Sequence, residues 1–75
     1  MRTIEFVVTE RSGLHALPAT VIVEKLNKYE SEVYASFGGN IVNAKSIFGL
    51  VSLGAKQGDV VIFEIHGSDE NQVQI

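Results

Sequence analysis

His15-Ala16-Leu17-Pro18-Ala19-Thr20-Val21-Ile22-Val23-Glu24-Lys25-Leu26-Asn27-Lys28-Tyr29 is the stretch whose reading decides the fold. Thr20 to Val23 is a β-branched run, which favours a strand. Yet Ala19, Ile22, Val23 and Leu26 recur at the spacing of one helix face, with Glu24, Lys25, Asn27 and Lys28 as the polar face. Pro18 would fall in the first helical turn, where a missing N–H costs little. The stretch reads as a helix over Ala16–Tyr29.

On either side the period is two. From Arg2 to Thr9, Ile4, Phe6 and Val8 alternate with Glu5, Val7 and Thr9, and Arg11-Ser12-Gly13 breaks the pattern. From Glu32 to Phe37, Val33, Ala35 and Phe37 share a side. Gly38-Gly39 is a two-residue hairpin turn leading into Asn40-Ile41-Val42-Asn43. A second helix is signalled by Ser46 as N-cap and Gly54 at a left-handed C-terminal position. Gln57-Gly58-Asp59 turns the chain into Val60–Ile65, the most apolar and so a central strand. Ser68 or Asp69 would cap a last helical segment that stops at Ile75. The order β-α-β-β-α-β with a helical stub implies an α+β open-faced sandwich: a four-stranded antiparallel sheet with helices on one face.

The 75 residues leave room for one domain, 1–75. Without cysteine there is no disulfide framework or thiolate metal site, and two separated histidines do not suggest a zinc cluster. With a net charge of −3 and its charges scattered singly, the chain has no basic stripe for nucleic acid. No apolar run is long enough to span a bilayer, and the first residues lack a signal peptide's apolar region, so a cytoplasmic location is expected.

Two segments could carry chemistry. In Gly13-Leu14-His15-Ala16-Leu17-Pro18-Ala19, His15 would be the N-cap of the first helix. The N–H groups and dipole of that end favour an anion, so the imidazole could accept a phosphoryl group there. The plain alternative is an exposed loop histidine. On the second helix, Leu50 and Leu53 fall together while Ile47, Phe48 and Val51 form a separate stripe, a candidate docking patch unless loops cover it. Ser46 is at least an ordinary cap, and a phosphate there would sit on a helix N-terminus beside the patch. His66 closes a strand with no nearby acid evident and reads as structural or solvent-facing. Arg11, Lys45 and Lys56 read as solvated charges. No carboxylate pair or Ser/His/Asp set supports an enzyme.

Together these segments resemble HPr, the histidine phosphocarrier family of the bacterial sugar phosphotransferase system. Gly13–Ala19 matches the family's G-[IL]-H-A-R-P-A in all but one place. Asn43-Ala44-Lys45-Ser46-Ile47-Phe48-Gly49-Leu50-Val51-Ser52-Leu53-Gly54 is similar to N-x-K-S-I-x-G-x-x-S-L-G of the Gram-positive type. The resemblance implies a stoichiometric carrier without cofactor or metal. Enzyme I would phosphorylate His15, and the group would pass to the A domains of sugar permeases docked on Ile47, Phe48 and Val51. An HPr kinase/phosphorylase would modify Ser46, and that form would assist a catabolite-control transcription factor. The backbone N–H groups of Ala16 and Leu17 would hold the phosphoryl group, with Arg11 and Ser12 as further candidate contacts.

The departure is Leu17, where the family has an arginine that contacts the phosphoryl group. A charge-assisted hydrogen bond is worth roughly 1.5–3 kcal/mol, so transfer is expected to slow by roughly one to two orders of magnitude. Arg11 is the candidate for partial replacement. Two other readings stay open: a regulatory module acting through phospho-Ser46, and an interaction domain that is not phosphorylated. Family members also run further and close with a full third helix. A weakly stable monomer, or a homodimer covering the gap through Val73 and Ile75, is therefore expected.

Overall fold

The computed structural model describes residues 1–75. The elements are β1 (Arg2–Val7), α1 (Ala16–Leu26), β2 (Glu32–Phe37), β3 (Asn40–Asn43), α2 (Ile47–Ser52), β4 (Val60–His66) and a single 3-10 turn at Glu70–Gln72. The strands form one antiparallel sheet in the order β1-β4-β2-β3, so the apolar β4 is central, as its composition requires. Register sets the faces. Ile4 pairs with Phe63, Phe6 with Val61 and Ala35 with Phe63, and all of these point toward the helices. The alternate positions Thr3, Glu5, Tyr34, Ser36, Ile62 and Glu64 lie on the open side.

The core joins Ala19, Ile22, Val23 and Leu26 of α1 and Leu50 of α2 to Val33, Ala35, Val61, Phe63 and Ile65 of the sheet. Phe63 is fully buried and meets Phe6 edge-on, with ring centroids 5.8 Å apart. Helical periodicity therefore prevails over the β-branched run at Thr20–Val23: four apolar side chains enter the core, which outweighs the small propensity deficit. Gly38 and Gly39 have φ of +59° and +84°, the two left-handed positions of a type I′ hairpin turn.

Three boundaries differ from the sequence reading. The first helix ends at Leu26 rather than Tyr29, because Lys28 and Tyr29 N–H groups turn back to the carbonyls of Lys25 and Leu26 and tighten the last turn. The first strand stops at Val7, since Val8 leaves the ladder to bond Asp59 O and Gly58 N. In place of a third helix there is one turn, and neither Ser68 nor Asp69 caps it by a side-chain hydrogen bond.

Asp69 is used elsewhere. Its carboxylate accepts from Glu30 N (2.8 Å), Ser31 N (3.0 Å) and the Ser31 hydroxyl, pinning the last segment to the α1–β2 loop. The Ser31 hydroxyl foremost, then the Glu30 amide, holds the Asp69 carboxyl below its ordinary range. Glu70 is likewise lowered, chiefly by the Met1 amino group at 2.8 Å and then by Gly67 N–H. Arg2 Nη1 donates to the carbonyls of Glu70 (2.9 Å) and Val73 (2.8 Å). Val73 is thereby fully buried in the core and Ile75 packs against it. This corrects the expected interface: Val73 covers the sheet of its own chain and is not exposed for a second copy.

Candidate functional site

The loop before α1 is fixed by one close contact. Gly13 has φ +78°, and a Cβ there would stand 2.6 Å from Ala55 O, so only glycine fits. Leu14 N–H donates to that carbonyl at 2.9 Å, and Leu14 is buried. The loop after α2 thus supports the residue preceding His15, which brings the two sequence segments together.

His15 is the N-cap of α1, as its position predicts. Its backbone is extended, with φ −92° and ψ −171°, and its carbonyl accepts the first helical bond from Ala19 N at 3.0 Å. Its Nδ1 accepts from Leu17 N–H at 3.4 Å, a long bond. Nδ1 therefore carries the lone pair and points at the positive end of the helix, with the ring proton on Nε2. The Ala16 N–H has no partner within the chain. A group bonded to Nδ1 would meet the Ala16 and Leu17 donors.

His15 lines a shallow depression with Glu10, Leu17, Pro18 and Val21. Leu17 is 74% exposed. Arg11 and Ser12 occupy the centre of a turn closed by Gly13 N–H donating to Glu10 O at 3.0 Å; neither lines the depression. The sequence reading passed over Glu10. The turn residues between Glu10 and Gly13 were the only hint that Glu10 would line the same depression as His15.

Ser46 caps α2: its Oγ accepts from Gly49 N–H at 3.0 Å. Gly49 lies in close approach to the cap: a Cβ there would stand 3.1 Å from Asn43 O and 3.3 Å from Ser46 Oγ, a tight fit. Lys45 is not a solvated charge: its Nζ donates to Tyr29 O at 2.7 Å, tethering the Ser46 loop to the end of α1. Leu50 and Leu53 are buried, whereas Phe48 is 84% exposed and Ile47 and Val51 are each over a third exposed. The two stripes of the sequence reading are therefore real, and no loop covers the second. His66 does have an acid: Glu64, two residues earlier and on the same strand face, places Oε1 3.4 Å from Nε2.

No helix is long and apolar enough to cross a membrane, and no cluster of three or more His, Cys, Asp or Glu residues could hold a metal ion. Comparison with known proteins matches residues 2–74 to the family model described as the PTS HPr component phosphorylation site. The fold resembles HPr-C-His from Thermoanaerobacter tengcongensis, with a TM-score of 0.89 and 37% identity over 97% of this chain and 82% of that one. It also resembles the phosphocarrier protein HPr from Bacillus anthracis, with a TM-score of 0.86 and 30% identity over 96% and 86%. The catabolite repression protein Crh of Bacillus subtilis, a swapped dimer in its crystal, gives 0.77 and 37% over 97% and 84%. With the helix-capping histidine, the serine-capped second helix and the sheet order now in view, the matched span places this chain in the HPr family of phosphocarriers of the bacterial phosphotransferase system.

Proposed function

We propose that the protein, acting as a single domain over residues 1–75 in the cytoplasm, relays a phosphoryl group through His15 and is not itself an enzyme. The observation that carries the reading is the Nδ1 lone pair of His15 directed at the N-terminus of α1. In loading, that lone pair would attack phosphorus as the N–P bond to the donor's imidazole breaks. The donor nitrogen leaves with the electron pair, and the proton on Nε2 stays in place. In delivery, the acceptor's lone pair would attack and His15 Nδ1 would leave with the electron pair of its own N–P bond. Ala16 and Leu17 N–H groups would hold the phosphoryl oxygens. Enzyme I would be the donor and the A domains of sugar permeases the acceptors. Ile47, Phe48 and Val51 would provide the docking surface. Arg11 and Ser12, close by in the turn, are the contacts that a shift of that loop would bring to the phosphate.

Ser46 is the proposed target of an HPr kinase/phosphorylase, and its phosphorylated form the ligand of a catabolite-control transcription factor. Leu17 favours a second reading, in which this regulatory role dominates and His15 transfer is weak. The likeness to Crh supports that reading too.

Incubation with Enzyme I and labelled phosphoenolpyruvate separates the two. An acid-labile phosphate abolished by His15→Ala supports the relay, and no label at long times rejects it. Kinase and ATP, with Ser46→Ala as the control, test the second reading in the same way.

A further inference from the structure

The depression that His15 lines holds one acidic residue and no basic one. Glu10 lines the depression beside His15, and the other lining residues, Leu17, Pro18 and Val21, are uncharged. The turn closed by Gly13 N–H to Glu10 O holds the Glu10 backbone in place. Its side chain forms neither an ion pair nor a hydrogen bond within the chain.

We infer that Glu10 sets the lability of the phosphoryl group on His15, making this chain a carrier biased toward giving the group up. The inference rests on His15 as the phosphoryl acceptor. A phosphoryl group on the ring brings close to two negative charges into a depression whose lining already holds one and includes no basic side chain. Like charges raise the energy of the loaded state, in low salt most of all. Loss of the group relieves the repulsion, whether to a protein acceptor or to water. With water, the O–P bond forms as the N–P bond breaks, the ring nitrogen regains its lone pair, and inorganic phosphate departs with the water's protons shared between phosphate and solvent. Glu10 acts here through charge alone and does not touch the reacting atoms.

The test needs no protein partner. Potassium phosphoramidate transfers its phosphoryl group to imidazole, the P–N bond breaking and ammonia leaving. In a His66→Gln background only His15 can be loaded, and phosphorus NMR follows the decay of its phosphohistidine. Glu10→Gln is expected to lengthen the half-life roughly three- to tenfold at low salt and Glu10→Lys to lengthen it further, the size of one or two screened charge contacts. At about 1 M salt, where the Debye length is about 3 Å, the differences should collapse. Equal half-lives at low salt overturn the inference, as does a difference that salt leaves intact, which would mark a structural effect. Failure of Enzyme I to load His15 would count against the relay alone and leave this result standing.

Discussion

At the scale of single residues, the candidate site is shaped by what stands at positions 10, 13 and 17. Gly13 is confined by the Ala55 carbonyl, so Gly13→Ala should push the His15 loop away from α2. Leu17 is exposed and packs little, so Leu17→Arg should leave the melting temperature nearly unchanged. It should restore a charge-assisted contact and raise the rate of His15 labelling by Enzyme I roughly ten- to a hundredfold. Rapid-quench labelling of the two proteins reads this directly, and equal rates would refute it. Ser46→Ala removes a cap, with an expected loss of about 1 kcal/mol in a urea melt alongside the loss of the proposed kinase site. His15, Ser46 and the paired glycines were legible because capping and turn chemistry are local: each answers to donors or dihedrals within three or four residues. Glu10 was not, because its meaning depends on where a turn aims a flexible side chain.

Among the elements, α2 shows how one short helix serves two purposes. Its six residues bury Leu50 and leave Phe48 in water. Leu50→Ala should cost about 2–5 kcal/mol in chemical denaturation, since it opens a cavity between α1, α2 and the sheet. Phe48→Ala should cost little stability yet weaken Enzyme I binding at least severalfold by calorimetry. The reverse pattern would mean that the stripes were assigned to the wrong sides. The wheel was readable because side-chain direction in a helix follows from spacing alone. The end of α1 was less so. Asn27, Lys28 and Tyr29 continue the polar and apolar pattern of the helix, but the chain turns away after Leu26. The Tyr29 carbonyl is then free to receive Lys45, sixteen positions away.

Over the whole molecule, the last segment is held by groups remote in sequence. Asp69 does stand at the N-cap position of the last turn, but its carboxylate is drawn away from capping by three donors from Glu30 and Ser31, which local propensity does not show. These contacts carry a pH dependence. The Asp69 carboxyl titrates below its ordinary 3.8 in the folded protein, so the unfolded chain binds the proton more readily. The stabilisation is complete above about pH 4 to 5 and is lost as pH falls through the lowered folded value; Glu70 adds to the same trend. Thermal melts from pH 7 to pH 2 should therefore fall steeply at the acid end. Asp69→Asn should melt lower at pH 7 and show a shallower acid limb. Parallel curves for the two proteins would remove Asp69 as a cause.

The strand order has a kinetic side. The sheet's middle is β4, among the last parts of the chain, and its partners β1 and β2 do not pair with each other. Until β4 exists, only the β2–β3 hairpin can form a ladder, and β1 has no neighbour. A nascent chain emerging from the ribosome therefore holds an unfinished sheet until Val60–His66 clears the exit tunnel. Folding is expected in one late, cooperative step dominated by closing the long β1–β4 loop. Stalled chains ending before Val60 should be digested by protease as readily as unfolded peptide, and those exposing Ile75 should resist.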